Sequence, residues 1–238
     1  MSSLIAFQNK LTQFLITLSD NKYALQKIND ALIVINRLSQ HSIPNKKIDH
    51  LFFTEKQILA DTRLMALDDL LSEFRQLLIT EFGVWFVPNY LWLHDLKQFI
   101  NNRRTLEIMA GNGLISAGLR QLGCPITAID NFKWQCQDVN APNLWTNVIQ
   151  EEALMALKKY QYDVIIMSWA PDTNDDDFSI LNYLKKHEFS GDFIVIGEPF
   201  GHTNSSQFWQ SAKLNKNELL NKNYHSFDTI DDHIYLIT

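Results

Sequence analysis

The segment Leu106-Glu107-Ile108-Met109-Ala110-Gly111-Asn112-Gly113-Leu114-Ile115-Ser116 carries an acid, then two glycines one residue apart, then the start of an apolar helical stripe. Small residues at such a turn let the backbone approach a ligand, and the N–H groups at the start of the next helix face it. Asp130 stands 19 residues beyond Gly111, at the end of the next β-rich run. From there a carboxylate accepts both hydroxyls of a ribose. A Gly-x-Gly by itself says little. Strand, Gly-x-Gly, helix, strand and an acid at that distance together describe a site for a nucleotide-type cofactor.

Two such cofactors compete. A dinucleotide fingerprint places a third glycine where Ser116 stands and cradles a pyrophosphate. Glu107, on the strand just ahead of the turn, would repel that group. The same carboxylate favours the ammonium and sulfonium of S-adenosylmethionine (SAM). The sign of that charge selects SAM over a nicotinamide cofactor, and an NAD(P)-dependent reductase is the weaker reading.

Further candidates lie where later strands end. Trp169 could stack a planar acceptor or pack under the amino-terminal helices, and both readings stay open. Glu198 follows an apolar strand; paired it is structural, and unpaired its raised pKa would suit a base. His202 shares the loop of Glu198 and could titrate near neutrality, although a loop histidine commonly faces solvent. Trp169, Glu198 and His202 are the catalytic candidates. Asp172, Asp175, Asp176 and Asp177 could hold magnesium with Glu198. The simpler reading puts Asp175 to Asp177 at the positive end of a helix carrying Phe178, Leu181 and Leu184, and no metal is expected.

These residues need elements to hold them. Leu4, Phe7, Leu11, Phe14, Leu15 and Leu18 fall at helical spacing behind Ser2 or Ser3, and Leu25, Ile28, Leu32 and Ile35 repeat the pattern. Thr54 with Gln57 forms a capping box, and the stripe from Ile58 to Leu78 predicts one long helix or two stacked ones, stopped at Gly83. These stripes read as core; a lid over a substrate is the functional alternative. After Leu106 β-rich runs alternate with helical stretches: 105–109, 125–129, 146–149, 164–168 and 193–197. Such alternation predicts a doubly wound α/β fold with a mostly parallel sheet. Residues 224–230 and 233–238 are expected to close it as an antiparallel hairpin. The division is then a helical region, 1–83, and an α/β domain, 84–238.

Composition bounds the function. The chain has 238 residues, 46% of them apolar, and a formal charge of −6. That excludes a mostly disordered chain, and the acidic balance speaks against a nucleic-acid partner. Cys124 and Cys136, the two cysteines, form neither a CxxC pair nor a metal-type cluster, and are expected to be reduced and inert. No run is long and apolar enough to span a bilayer, and the amino terminus shows no signal-peptide core. A cytoplasmic protein is expected. Its oligomeric state is not legible.

With those residues in view, roughly Trp85 to Thr238 resembles the class I, seven-stranded SAM-dependent methyltransferases. The resemblance implies that Glu107, Ala110, Gly111, Asn112 and Gly113 form the methionine-side loop and that Asp130, with Asn131 beside it, holds the ribose. Val148 to Ala153 looks like the third-strand exit. There Glu152, chosen over Glu151 because it directly precedes Ala153, contacts the adenine amine. Met109 replaces the usual glycine before Ala110. Ser168-Trp169-Ala170-Pro171-Asp172 and Gly197-Glu198-Pro199-Phe200-Gly201-His202-Thr203 are similar to an uncharacterised subgroup with Ser-Trp-x-Pro and Gly-Glu-x-x-Gly-x-Thr motifs. Ser168 joins the cofactor residues on that basis. Ala170 and Asp172 depart from the subgroup's Pro and Tyr, and the Asn-Pro-Pro-Tyr of the DNA amino-methylating enzymes is not matched. The implied activity is methyl transfer to a small molecule or a protein side chain. A non-catalytic SAM-binding regulator and a cofactor-free interaction module on the same fold are the alternatives.

Overall fold

The computed structural model describes residues 3–133, 143–173 and 175–238. Six helices lead: α1 (Ser3–Thr17), α2 (Lys22–Ser39), α3 (Glu55–Ala60), α4 (Leu64–Ser72), α5 (Phe74–Phe82) and α6 (Tyr90–Ile100). The Asn21 side chain caps α2 by accepting from Tyr23 and Ala24 N–H, and Thr54 with Gln57 forms the full capping box of α3. The stripe expected to make one or two helices is cut into α3, α4 and α5. Gly83 ends α5 at φ +62°, the left-handed conformation that glycine adopts without strain.

The α/β part then runs β1 (Thr105–Ile108), α7 (Leu114–Gln121), β2 (Ile126–Asp130), β3 (Ile149–Gln150), α8 (Ala153–Lys159), β4 (Val164–Ser168) and α9 (Asp176–Lys186). It finishes with β5 (Asp192–Gly197), α10 (Ser206–Ser211), β6 (Leu214–Lys216), α11 (Glu218–Asn221) and β7 (His233–Ile237). Among the described residues the sheet has seven strands in the order β3-β2-β1-β4-β5-β7-β6. Pairing is parallel from β3 to β5, while β7 runs antiparallel to both β5 and β6.

The antiparallel end is present, but its partner strand differs from the one expected. Residues 224–230 form no strand; 214–216 pair with β7 instead. Segment 224–230 is drawn into the helical layer: Tyr224 and Phe227 are buried there, and Leu51 N–H donates to Phe227 O at 2.7 Å. Aromatic packing has overridden a β-rich composition.

Successive strand residues serve opposite faces, as a period of two requires. Ile166, Ile194 and Ile196 join α1, α2 and α4 to α7 in one cluster, whereas Ile165, Met167 and Val195 join α8, α9 and α10 in the other. A sheet buried on both sides explains its unbroken apolar runs. The amino-terminal helices and one sheet face thus share a single core, which brings α5 and the segment after it to the carboxyl ends of β1 and β4. Cys124 is buried, and Cys136 lies outside the described residues.

Candidate functional site

A cavity of about 1000 Å³ opens at the carboxyl ends of β1 to β4. Ligand sites commonly hold about 300–1000 Å³, so this one has room for a nucleoside and a second molecule. Residues 109–112, Leu114, Asp130, Asn131 and 151–155 line one side, without Gly113; Trp85, Phe86, Ser168 to Thr173 and His202 line the other.

Glu107 forms the floor. It is buried, and its Oε2 accepts from the backbone N–H of Ser116 at 3.0 Å and from the Ser116 hydroxyl. Ser116 lies in the first turn of α7, so the carboxylate occupies the positive end of that helix. Burial nonetheless pushes its pKa up to about 7, against the pull of Ser116. Among the described residues Oε1 accepts no hydrogen bond, and Glu107 lines the cavity.

Gly111 and Gly113 both have positive φ, +57° and +78°, yet do different work. A Cβ on Gly113 would lie 2.7 Å from Val148 Cγ2, so packing excludes one there. A Cβ on Gly111 would meet nothing within 4 Å, and the residue lines the cavity. Gly111 leaves space on the ligand side. Met109 and Trp169 also adopt positive φ, +52° and +51°, as they leave β1 and β4 at the cavity wall. Such geometry in a non-glycine residue costs about 1–3 kcal/mol and concentrates at functional sites.

Asp130 braces the loop: its Oδ2 accepts from Gly111 N–H at 2.8 Å and its Oδ1 from Phe132 N–H at 2.7 Å. Ala110 is tied to β2 through Ile129 O at 2.9 Å. Asn112 lines the cavity, but its amide faces the helical layer, donating to Phe82 O and Gly83 O at 2.9 and 3.0 Å. It clamps the loop to the end of α5. Glu152 lies at the mouth, where Lys133 at 2.6 Å and Asn131 at 3.1 Å hold its pKa down. Ala153 begins α8 beside it, and Glu151 pairs with Lys159. Ser168 lines the cavity, while its Oγ is buried and has no hydrogen-bond partner among the described residues.

The three catalytic candidates separate. Trp169 reaches the cavity, but its indole N–H donates to Asp232 at 2.8 Å and the Arg75 guanidinium lies 4.5 Å from its ring. Glu198 does not line the cavity. Its carboxylate accepts from His202 N–H and Asp231 N–H, both at 2.9 Å, and meets His202 Nδ1 at 2.6 Å. Burial raises the Glu198 pKa, but these donors outweigh it and hold the group below its ordinary value. That is the paired, structural arrangement, not a raised base. His202 remains at the rim, its side chain 68% exposed.

Asp177 is fully buried, accepting from Ser205 N–H and hydroxyl at 2.7 and 2.8 Å, and so joins α9 to α10. Asp175 to Asp177 begin α9, and among the described residues no three His, Cys, Asp or Glu gather to hold a metal.

Two contributors were missed. Trp85, 6.2 Å from Trp169 between ring centres, packs beside it on the same aromatic wall. Arg75 fixes both residues: it donates to Trp85 O, stacks on Trp169 and pairs with Asp228 at 2.6 Å. An arginine inside a helical stripe was the available signal, since a buried guanidinium demands partners.

No family model and no curated protein matches the chain. Among solved structures it is similar to the plantazolicin methyltransferase BpumL in complex with S-adenosylhomocysteine (SAH), at 14% identity and TM-score 0.38, over 63% of this chain and 81% of that one. It is also similar to TehB from Haemophilus influenzae, at 14% identity and TM-score 0.39, over 61% of this chain and 60% of that one. The S-adenosylmethionine-dependent methyltransferase SibL in its apo form is similar at 12% identity and TM-score 0.38, over 96% of this chain and 74% of that one. Likenesses of this size carry no weight for the function of this chain, which has to come from its own cavity.

Proposed function

We propose that this chain binds SAM along the β1–β3 side of the cavity and transfers its methyl group to an acceptor on the Trp85–Trp169 side. The observation that carries this reading is Glu107. Its carboxylate already fills the positive end of α7, the place where a dinucleotide's diphosphate would sit. Leu114 N–H there is likewise engaged by Asn112 Oδ1, at 3.3 Å. The helix start is therefore closed to an anion, while the remaining Glu107 oxygen meets the cavity and suits a cation.

The other cofactor residues fit a nucleoside with an amino-acid arm. Gly111 keeps open the space that a Cβ would fill, and Ser168 lines the same cavity. Asp130 and Glu152 would take the ribose and adenine edges, with Ala110, Asn131 and Ala153 as the surrounding wall, while Gly113, packed against Val148, would shape the turn from behind. Asn112 would hold the loop in place through α5. SAM, when bound, supplies a methyl group on a sulfonium that already leaves readily, so the protein's task is to orient the acceptor and exclude water. With Glu198 tied to its loop, no side chain among the described residues of the acceptor side is set up as a strong base. An acceptor that arrives with a free lone pair suits such a site.

Equilibrium dialysis with radiolabelled SAM, competed by SAH and by NADH, tests the reading. Displacement by SAH alone is expected; retention of NADH with no retention of SAM would overturn it.

A further inference from the structure

The acceptor side of the cavity has a chemical bias of its own, and the inference drawn from it rests on the SAM reading above. Trp85, Phe86 and Trp169 form its apolar walls, with the ring planes of Trp85 and Trp169 tilted by 31°. Asp172, exposed, stands at its mouth, and Asp176, also exposed, lines the cavity nearer Glu152 and Lys133. Among the described lining residues the cations are Lys133, in the segment after β2, and Lys158, on α8, both on the cofactor side. Lys133 is matched by Glu152. Arg75 is near but spent, since Asp228 neutralises it and the Trp169 ring faces it. His202, at the rim, is bonded to Glu198.

An anion entering here would pass two carboxylates and reach aromatic walls with no donor of opposite charge, losing its hydration without replacement. A cation or a neutral ring meets the opposite situation. A tryptophan face attracts positive charge; that of Trp169 already holds Arg75, which leaves the Trp85 ring to a ligand. We infer that the Trp85–Trp169 side of the cavity binds planar ligands bearing no negative charge, with amine-bearing aromatic rings as the preferred class and carboxylated or phosphorylated ones rejected.

Three probes share one ring and differ in charge: 1-naphthylmethylamine, 1-naphthalenemethanol and 1-naphthoate. Each is titrated into SAH-saturated protein, with binding followed by ligand-observed NMR. The amine should bind at least tenfold more tightly than the naphthoate, with the alcohol between them. The amine's advantage should shrink at high salt, because its source is partly exposed charge. The Asp172→Asn/Asp176→Asn double variant should narrow the gap, and Trp85→Ala should weaken the amine and the alcohol while leaving SAH affinity within about threefold. Naphthoate binding as tightly as the amine, or no probe binding at all to the SAH complex, would overturn the inference. Failure to bind SAH in the first place would instead sink the SAM reading.

Discussion

The Arg75 guanidinium lies 4.5 Å from the Trp169 ring while forming a two-pronged pair with Asp228, at 2.6 and 2.8 Å. An arginine of α5 thus fixes a residue at the tip of β4. Removing one partner of a buried pair leaves an uncompensated charge, at a cost of about 3–5 kcal/mol. Arg75→Met should lower stability in urea by that order, and Arg75→Met/Asp228→Asn should regain a large part of it. Equal stability of Arg75→Met and wild type would show that the pair organises nothing.

Glu107 makes the protein pH-sensitive in two opposite ways. Its pKa is pushed from 4.5 to about 7. Within that window the folded chain keeps a proton that the unfolded chain has lost, so ligand-free stability falls as pH rises. The full span amounts to about 3 kcal/mol. A cationic ligand prefers the ionised carboxylate, so SAM affinity should instead rise through the same window and binding should release protons. Glu107→Gln is expected to flatten both trends, gaining stability above neutrality and losing at least tenfold in SAM affinity. Urea melts and calorimetry in buffers of different ionisation enthalpy read the two effects, and SAM affinity falling as pH rises from about 5.5 to about 7 would contradict the assignment.

Asp130 both braces the loop and faces the cavity, so alanine and asparagine there should differ. Asp130→Asn keeps an acceptor for Gly111 N–H but loses the charge, and SAH affinity should drop about 10- to 100-fold, as loss of a charged hydrogen bond of about 1.5–3 kcal/mol implies. Asp130→Ala should lose more and also lower the melting temperature. Unchanged calorimetric affinity in Asp130→Asn would remove Asp130 from the ligand.

The two glycines offer a contrast that the sequence hides. Gly113→Ala drives a Cβ against Val148 and should destabilise the fold by about 1–3 kcal/mol. Gly111→Ala has open space and pays only for its positive φ, about 1 kcal/mol, yet should impair SAH binding more. Thermal melts and titrations of the two variants would show the reverse ordering if the loop faced the ligand differently.

The elements that carry the proposed cofactor residues were legible because they are local. Glu107, the glycine turn and Asp130 lie on consecutive elements, and β4 falls on the very residues expected, Val164–Ser168. What escaped was long-range. Asn112 reads as a loop residue but is spent on the end of α5; Glu198 reads as an acid at a strand end but is captured by His202 and Asp231. Arg75 carries no local motif, and it and Trp85 meet Trp169 only because the shared core brings α5 and the segment after it to β4. Residues 224–230 have strand-like composition, but their aromatic rings find a better partner in the helical layer than in the sheet.

The most direct test is a crystal of this protein soaked with SAH. The account predicts the ribose hydroxyls on Asp130, the amino-acid arm passing Gly111 towards Glu107, and the sulfur facing the Trp85–Trp169 side. Density for the nucleoside elsewhere, or a crystal that takes up none while Glu107 stays sealed against Ser116, would contradict it.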